Sequence, residues 1–337
     1  MQKKINVAVV GATGLIGETM IRILEEKNFP VDRLYLLASE RSKGKSLGFR
    51  NEHLKVEDLS SFDFHKVELA LFSAGGAVSR QFVPIATKSG CLVIDNTSEF
   101  RYNDDVPLVV PEVNAHQIQF WEKKHIIANP NCSTIQMCVA LYPLHLQAKI
   151  KRINVATYQS VSGAGRSALE TLKAEVSGKI YPSSPFPLPI ANNAIAHIDR
   201  FLENGYTKEE MKMVWETRKI FNEPSLLVNP TAVRIPVSIG HSEVVHIETA
   251  IKLGVEEART ILKKSPGITV KDERMSGGYP SPLLDASGKD NVFVGRIRED
   301  ISHPNGLNMW IVADNVRKGG ALNSIQIAQH WFEFCYL

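Results

Sequence analysis

The sequence predicts an α/β protein of two domains, the first on a mostly parallel sheet and the second, α+β in character, on a large mixed sheet. Three observations carry this. The chain has 337 residues, more than the ~100–200 typical of one domain. Up to about residue 131, short apolar runs alternate with stretches of helical periodicity, as in a parallel sheet covered by helices. Beyond residue 132 the runs lengthen and several alternate polar with apolar residues. The first domain is expected over 1–131 with 315–337, and the second over 132–314.

The elements follow in order. INVAVV (5–10) is rich in β-branched residues and stops at a glycine, and residues 15–27 then repeat apolar positions at helical spacing. RLYLLAS (33–39), ELALFSAGG (68–76), CLVIDNTS (91–98) and HIIANPN (125–131) read as further strands, with helices expected at 78–88 and 114–124. In the second domain, strands are expected within 153–163, 230–240, 242–253, 290–300 and 306–315. The proline-rich stretch 179–194 excludes regular structure. Residues 321–334 are amphipathic at helical spacing and are expected to return to the first domain.

Composition excludes several classes. Hydrophobic residues make up 44% and charged residues 22%, within the globular range, and a chain this long builds its core without staples. Cys91, Cys132, Cys138 and Cys335 show no CxxC spacing and no histidine pairing, so neither a metal site nor a disulfide framework is expected. The N-terminal apolar run is broken by Gly11 and Gly14 and does not read as a signal peptide. No apolar run approaches the ~18 residues of a membrane span, and a cytoplasmic location is expected. A net charge of +3 without a basic, aromatic-interleaved stripe argues against nucleic acid. A small anionic ligand fits better.

The first strand runs into GATGLIG, with Gly11, Gly14 and Gly17 opening the first helix. Such a turn lets backbone N–H groups and the helix dipole approach a pyrophosphate, so the first domain reads as a Rossmann-type dinucleotide-binding domain; the plainer alternative is a tight βα turn. An NAD enzyme places a carboxylate at the end of the second strand. Here Ala38 and Ser39 stand there, followed by Glu40, Arg41, Ser42 and Lys43. A hydroxyl with two cations suits the 2′-phosphate of NADP.

Cysteine is usually a buried packing residue. Cys132 differs in context, because Asn129-Pro130-Asn131 ends a strand and STIQMCVALYPL continues helically, which puts the thiol at a helix N-terminus. Cys138, further along the same helix, reads as packing. A helix terminus contributes ~0.3–1 kcal/mol, under one pKa unit, so a nucleophilic Cys132 needs a base or cation from elsewhere. His241, just after Gly240 between two strand-like runs, is the leading candidate, with Arg234 seven residues earlier. Gln159 ends a strand before Ser162-Gly163-Ala164-Gly165. Glu209 and Lys212 share a helix face, an arrangement that by itself usually means a solvated ion pair. Arg101 follows a strand end and is an anion-binding or loop-surface residue.

Taken together, VAVVGATG, ASERS, FSAGG, VPLVVPEVN, NPNCSTIQM, YQSVSGAG, VRIPV with GHSE, VGRIR.D and VADN..KG resemble the aspartate-β-semialdehyde dehydrogenases over nearly the whole chain, in the bacterial branch typified by Gram-positive enzymes. The resemblance implies Cys132 as thioester nucleophile, His241 as acid and base, and Gln159 as the residue orienting the reacting group. It implies Arg101, Asn131 and Lys212 as holders of the phosphate, and Arg234 and Glu209 as holders of the amino-acid carboxylate and ammonium. Gly11, Thr13, Gly14, Leu15, Ile16, Ser39, Arg41, Ser42, Ser162, Gly163 and Asn315 would line an NADP site.

The implied reaction is reversible reduction of L-4-aspartyl phosphate to the semialdehyde and phosphate, by a homodimer formed through the second domain. An enzyme of the same chemistry acting on an N-acetylated glutamyl phosphate is the alternative that Glu209 opposes, since an acylated nitrogen offers no ammonium. A catalytically silent dinucleotide sensor would have no use for the catalytic set. The chain departs from the resemblance at Asn192-Asn193 and Ile195-Ala196, and carries Thr97, Glu99 and Tyr102 at positions expected to vary.

Overall fold

In the computed structural model, which describes residues 3–179 and 183–336, strand β1 (Ile5–Val10) lies near the middle of a seven-stranded sheet. Its neighbours are β2 (Val31–Ala38) and β5 (Leu69–Phe72), both parallel to it. On the β2 side follow β4 (Glu52–Asp58) and β3 (Ser46–Phe49); on the β5 side follow β6 (Leu92–Asp95) and β7 (Ile126–Ala128), giving the order β3-β4-β2-β1-β5-β6-β7. All pairs are parallel except the β3–β4 hairpin. Strands buried on both faces need apolar residues at consecutive positions, and β5 and β6 are buried throughout.

Helices α1 (Leu15–Glu26), α2 (Gly76–Lys88) and the short α3 (Pro111–Asn114) belong to the same unit. So does the C-terminal helix Leu322–Tyr336, whose Leu322, Ile325, Ala328, Trp331 and Phe332 join the core around Val7, Val9 and Met20. Burial of each such large side chain is worth about 1.5–3 kcal/mol. The expected helix over 114–124 is instead the end of α3 and a 3-10 stretch, Ala115–Lys123.

The second unit, Asn131–Gly319, holds α4 (Cys132–Ala148), α5 (Arg166–Val176), α6 (Lys208–Phe221) and α7 (Val255–Lys264). Its sheet contains β8 (Ile150–Gln159), β9 (Leu227–Arg234), β10 (His241–Thr249), β11 (Ile268–Val270), β12 (Val292–Glu299) and β13 (Gly306–Ala313), in the order β11-β12-β13-β10-β8-β9. Pairing is mixed: β8–β9 and β11–β12 are parallel, while β10 is antiparallel to both β8 and β13. Contacts divide the chain at Pro130/Asn131 and Gly319/Gly320, against the expected boundaries of 131/132 and 314/315. Of the proline-rich stretch, residues 180–182 lie outside the described residues; the remainder has no regular element, and Glu175 Oε2 pins it by accepting from the N–H groups of Ile190 (2.7 Å) and Ala191 (2.8 Å).

The topology gathers chemistry at one edge. Parallel pairing sets Gln159, the last residue of β8, against Arg234, the last of β9. Antiparallel pairing brings the first residue of β10, His241, to the same edge, opposite Ala313 at the end of β13. Asn315 follows two residues later.

Candidate active site

Cys132 opens α4 and is half-buried. Asn131 caps the helix: its Oδ1 accepts from Ser133 N–H (3.0 Å) and Thr134 N–H (3.4 Å). The cap's own N–H donates to Glu216 Oε2 (2.6 Å), and its Nδ2 donates to Glu209 Oε1 (2.9 Å). Behind it α4 is buried along most of its length, and burial pushes the Cys138 thiol well up, as an inert packing cysteine requires. The loop after β13 closes in from the other side. Asp314 accepts from the N–H groups of Val316, Arg317 and Gly288, and holds Gly319 N–H on its carbonyl at 3.0 Å. A Cβ on Gly319 would sit 2.8 Å from Cys132 Cβ.

Glu209 comes from the first turn of α6, where Thr207 and Glu210 form a capping box. Glu210 also accepts from Ala232 N–H (2.9 Å), which fastens this turn to β9 beside Arg234. The Glu209 carboxylate is buried and accepts from Asn131 and Lys212 Nζ (2.8 Å), with Gln159 Nε2 at 3.3 Å. Burial alone would raise its pKa, but Lys212, Asn131 and Arg234 outweigh that and hold it down to about 2. Lys212 lies between Glu209 and Asp199 Oδ2 (3.0 Å); although burial opposes its charge, the two carboxylates raise its pKa. The solvated pair suggested by spacing alone is therefore a buried one.

Arg234 is buried, and burial pulls its pKa down while Glu209 and Cys132 support its charge. The guanidinium thus lies within electrostatic range of Cys132. Its Nη1 donates to Ser160 O at 2.7 Å. His241 is fully buried; burial first, then Arg234, lowers its pKa to about 3, so it is neutral at physiological pH. Its Nδ1 meets Ser160 N–H at 3.1 Å, and its Nε2 has no hydrogen-bond partner among the described residues.

Ser162 and Gly163 lie in the turn after β8. Ser162 hydrogen-bonds Asn315 Nδ2 (3.0 Å), and a Cβ on Gly163 would approach Arg234 Nη1 to 2.8 Å and the His241 ring to 3.2 Å. The second unit therefore brings together Asn131, Cys132, Gln159, Ser162, Gly163, Glu209, Lys212, Arg234, His241 and Asn315. Sequence reading missed Ser160 and Glu216, whose roles rest on partners 81 and 85 residues away.

The remaining expected residues lie in the first unit. Gly11, at φ +86°, turns the chain out of β1, and a Cβ on Gly17 would come within 2.2 Å of Gly11 O. Gly14 precedes Leu15 and Ile16 at the start of α1, with no side-chain cap on the helix. Thr13 Oγ1 reaches Ser42 Oγ at 3.4 Å, which joins the glycine loop to the 3-10 turn Glu40–Ser42. Arg101 is buried, with Nη2 on Asn96 O (2.7 Å); it follows a loop anchored by Asp95, which accepts from Ser79 and Thr97. Among the described residues no cluster could hold a metal ion, and no helix is long and apolar enough to cross a membrane.

A dinucleotide-type domain in one chain with a thiol at a helix N-terminus, a buried imidazole and buried cations defines the class of nicotinamide-dependent dehydrogenases that work through an enzyme thioester. Comparison with known proteins agrees. Residues 6–121 match the semialdehyde dehydrogenase, NAD binding domain, and residues 141–318 match the semialdehyde dehydrogenase, dimerisation domain. A Legionella pneumophila aspartate-semialdehyde dehydrogenase is 57% identical over 333 residues, covering 98% of this chain and 96% of that one. The Bacillus subtilis enzyme is 47% identical, with 98% of each chain covered. The crystal structure of Vibrio cholerae aspartate semialdehyde dehydrogenase II complexed with ASA superposes with a TM-score of 0.96 at 51% identity, covering 100% of both chains. The chain belongs to the aspartate-semialdehyde dehydrogenase family.

Proposed function

We propose that this chain reduces L-4-aspartyl phosphate to L-aspartate 4-semialdehyde and phosphate, reversibly, through a thioester on Cys132. The observation that carries the reading is the position of Cys132 at a capped helix N-terminus in the field of the buried Arg234. The Cys132 thiolate attacks the acyl carbon, and the tetrahedral oxyanion collapses with loss of phosphate to leave the thioester. Gln159 orients the reacting group, and His241 serves the carbonyl oxygen as acid and base.

Arg234 and Glu209 hold the α-carboxylate and ammonium of the substrate, while Asn131 and Lys212 take the phosphate, and Arg101 is an anion-binding residue of the first unit. Substrate ammonium would compete with Lys212 for Glu209, freeing the lysine toward an anion. The reaction therefore uses both ends of the buried ion pair.

The residues of the first unit suit NADP: Gly11, Thr13, Gly14, Leu15 and Ile16 form a backbone cradle for a pyrophosphate, and Ser39, Arg41 and Ser42 offer hydroxyls and a cation where an NAD site carries a carboxylate. Bound there, the nucleotide supplies the hydride that takes the thioester to the aldehyde level. A Candida albicans relative, 25% identical with a TM-score of 0.78, was solved with NADP. We assign nucleotide binding to the first unit, catalysis and homodimerisation to the second, and the reaction to the cytoplasm, in the branch of metabolism that makes lysine, threonine, methionine and diaminopimelate.

A phosphate-dependent assay with aspartate semialdehyde tests the activity. NADPH should form from NADP and far less NADH from NAD, and Cys132→Ala should abolish turnover without unfolding the chain. Undiminished turnover in that variant would sink the thioester mechanism.

A further inference from the structure

His241 does the proton work at the carbonyl oxygen in the proposed reaction, and either ring nitrogen could carry the proton. The hydrogen bonds around the ring decide which. A backbone amide can only donate, and Ser160 N–H lies 3.1 Å from His241 Nδ1. Nδ1 must therefore present a lone pair, and the single proton of the neutral ring resides on Nε2. That atom is fully buried and has no protein partner among the described residues.

The side chains beyond run in the same direction. Gly240 N–H donates to Asn315 Oδ1 (2.9 Å), which fixes the amide orientation and turns Nδ2 to Ser162 Oγ (3.0 Å). The Ser162 hydroxyl has two acceptors in reach, Ser160 Oγ (3.0 Å) and Asn315 Oδ1 (3.2 Å), and the Ser160 hydroxyl has Nδ1 at 3.0 Å. The Ser160 hydroxyl also has Asn315 Oδ1 within 2.9 Å, but turning to it would set an oxygen lone pair against the Nδ1 lone pair. Two donors from one residue thus converge on Nδ1. Protonating it would confront both, together with the nearby positive charge of Arg234, which the Glu209 carboxylate opposes.

We propose that Ser160 is the positioning residue that sets His241 in its Nε2–H tautomer, so that the resting neutral ring offers a proton, not a lone pair, to the carbonyl oxygen it serves and does not hold the Cys132 proton. This rests on the proposed reaction for its consequence, though not for its geometry. Neutral imidazole donors at a reacting carbonyl are an established catalytic device. The corollary is that the Cys132 thiolate is supported by Arg234 and the N-terminus of α4, without an imidazolium.

The test needs the full chain labelled with 15N-histidine, with the His241 signals assigned by their loss in His241→Asn. At pH 7.5 the wild-type spectrum should show a protonated Nε2 and a bare Nδ1; a proton on Nδ1 overturns the proposal. Ser160→Ala keeps the amide donor and loses the hydroxyl. It should lower kcat about tenfold with KM for the semialdehyde little changed. It should also move the acid limb of the pH–rate profile up by about one unit, and Ser160→Thr should restore most of both. Wild-type kcat and pH profile in Ser160→Ala would show that the hydroxyl positions nothing and overturn its assigned role. If the wild-type enzyme fails to turn over aspartate semialdehyde, the proposed reaction falls, while the spectrum still decides the tautomer.

Discussion

Asn131 and Glu209 are joined by a hydrogen bond of 2.9 Å from Nδ2 to Oε1, so the cap of the helix that Cys132 opens and a buried carboxylate hold one another in place. Asn131→Ala removes the cap and this bond together. An N-cap is worth about 1 kcal/mol and a hydrogen bond to a charged group about 1.5–3 kcal/mol, so urea unfolding should show a loss of roughly 2.5–4 kcal/mol. Asn131→Asp keeps the cap acceptor but sets a second carboxylate against Glu209. It should recover part of the stability and little of kcat/KM, and wild-type activity in this variant would contradict the assignment.

Glu209 links stability to pH with a definite sign. Its folded pKa of about 2 lies below the ordinary 4.5, so it stabilises the fold fully above pH 4.5 and progressively less as pH falls toward 2. At ~1.36 kcal/mol per unit the effect is roughly 3 kcal/mol. Glu209→Gln should therefore be less stable than wild type at pH 7, with the difference shrinking below pH 4.5. Urea melts at pH 7 and pH 4 compare the two directly; a gap that widens on acidification would reverse the sign.

Thiol reactivity separates the cysteines. Cys91 and Cys138 are fully buried, and desolvation raises both thiols far above neutrality. Cys335 is exposed, yet burial and Glu122 still raise it. Iodoacetamide at pH 7 should modify Cys132 first, at least tenfold faster than Cys335, and peptide mapping over time would read this. Phosphate or semialdehyde should protect Cys132 alone. Preferential modification of Cys335 would remove the case for thiolate activation.

Much of this architecture was legible in the sequence, and the gaps have physical causes. The GATG turn and the NPNC junction are local: a glycine at positive φ and an asparagine cap announce themselves within a few residues. The β3–β4 hairpin did not, because its turn uses Arg50 and Asn51 at φ +47° and +64° without a glycine. Arg50 holds that conformation through bonds to Val31 O and Phe29 O, about 20 residues away in sequence. For the same reason, helical spacing pairs Glu209 with Lys212 but does not reveal that both are buried, since that depends on Asn131 and Asp199 arriving from other elements.

The proposed preference for NADP is tested at the segment after β2. Arg41 is exposed in a short 3-10 turn, next to Ser42, which touches Thr13 of the glycine loop. Arg41→Ala should raise KM for NADPH about tenfold, as loss of one charge-assisted hydrogen bond to a phosphate would, and leave KM for NADH nearly unchanged. Equal weakening of both nucleotides would place Arg41 on the common part of the cofactor and not on the 2′-phosphate.

Gly163 is where space rather than charge limits the site. An added Cβ would lie 2.8 Å from Arg234 Nη1 and 3.2 Å from the His241 ring, while no backbone is among its nearest contacts. The guanidinium is the end of a flexible side chain and can move aside, so Gly163→Ala should cost about 1 kcal/mol or less in stability. The same movement takes Arg234 off Ser160 O and shifts the imidazole, and a misplacement of a few tenths of an ångström to 1 Å is worth up to about 100-fold in rate. The variant should therefore fold normally and lose at least tenfold in kcat/KM, with the loss appearing in KM through Arg234 and in kcat through His241. Full activity would mean that neither side chain needs the position the structure gives it.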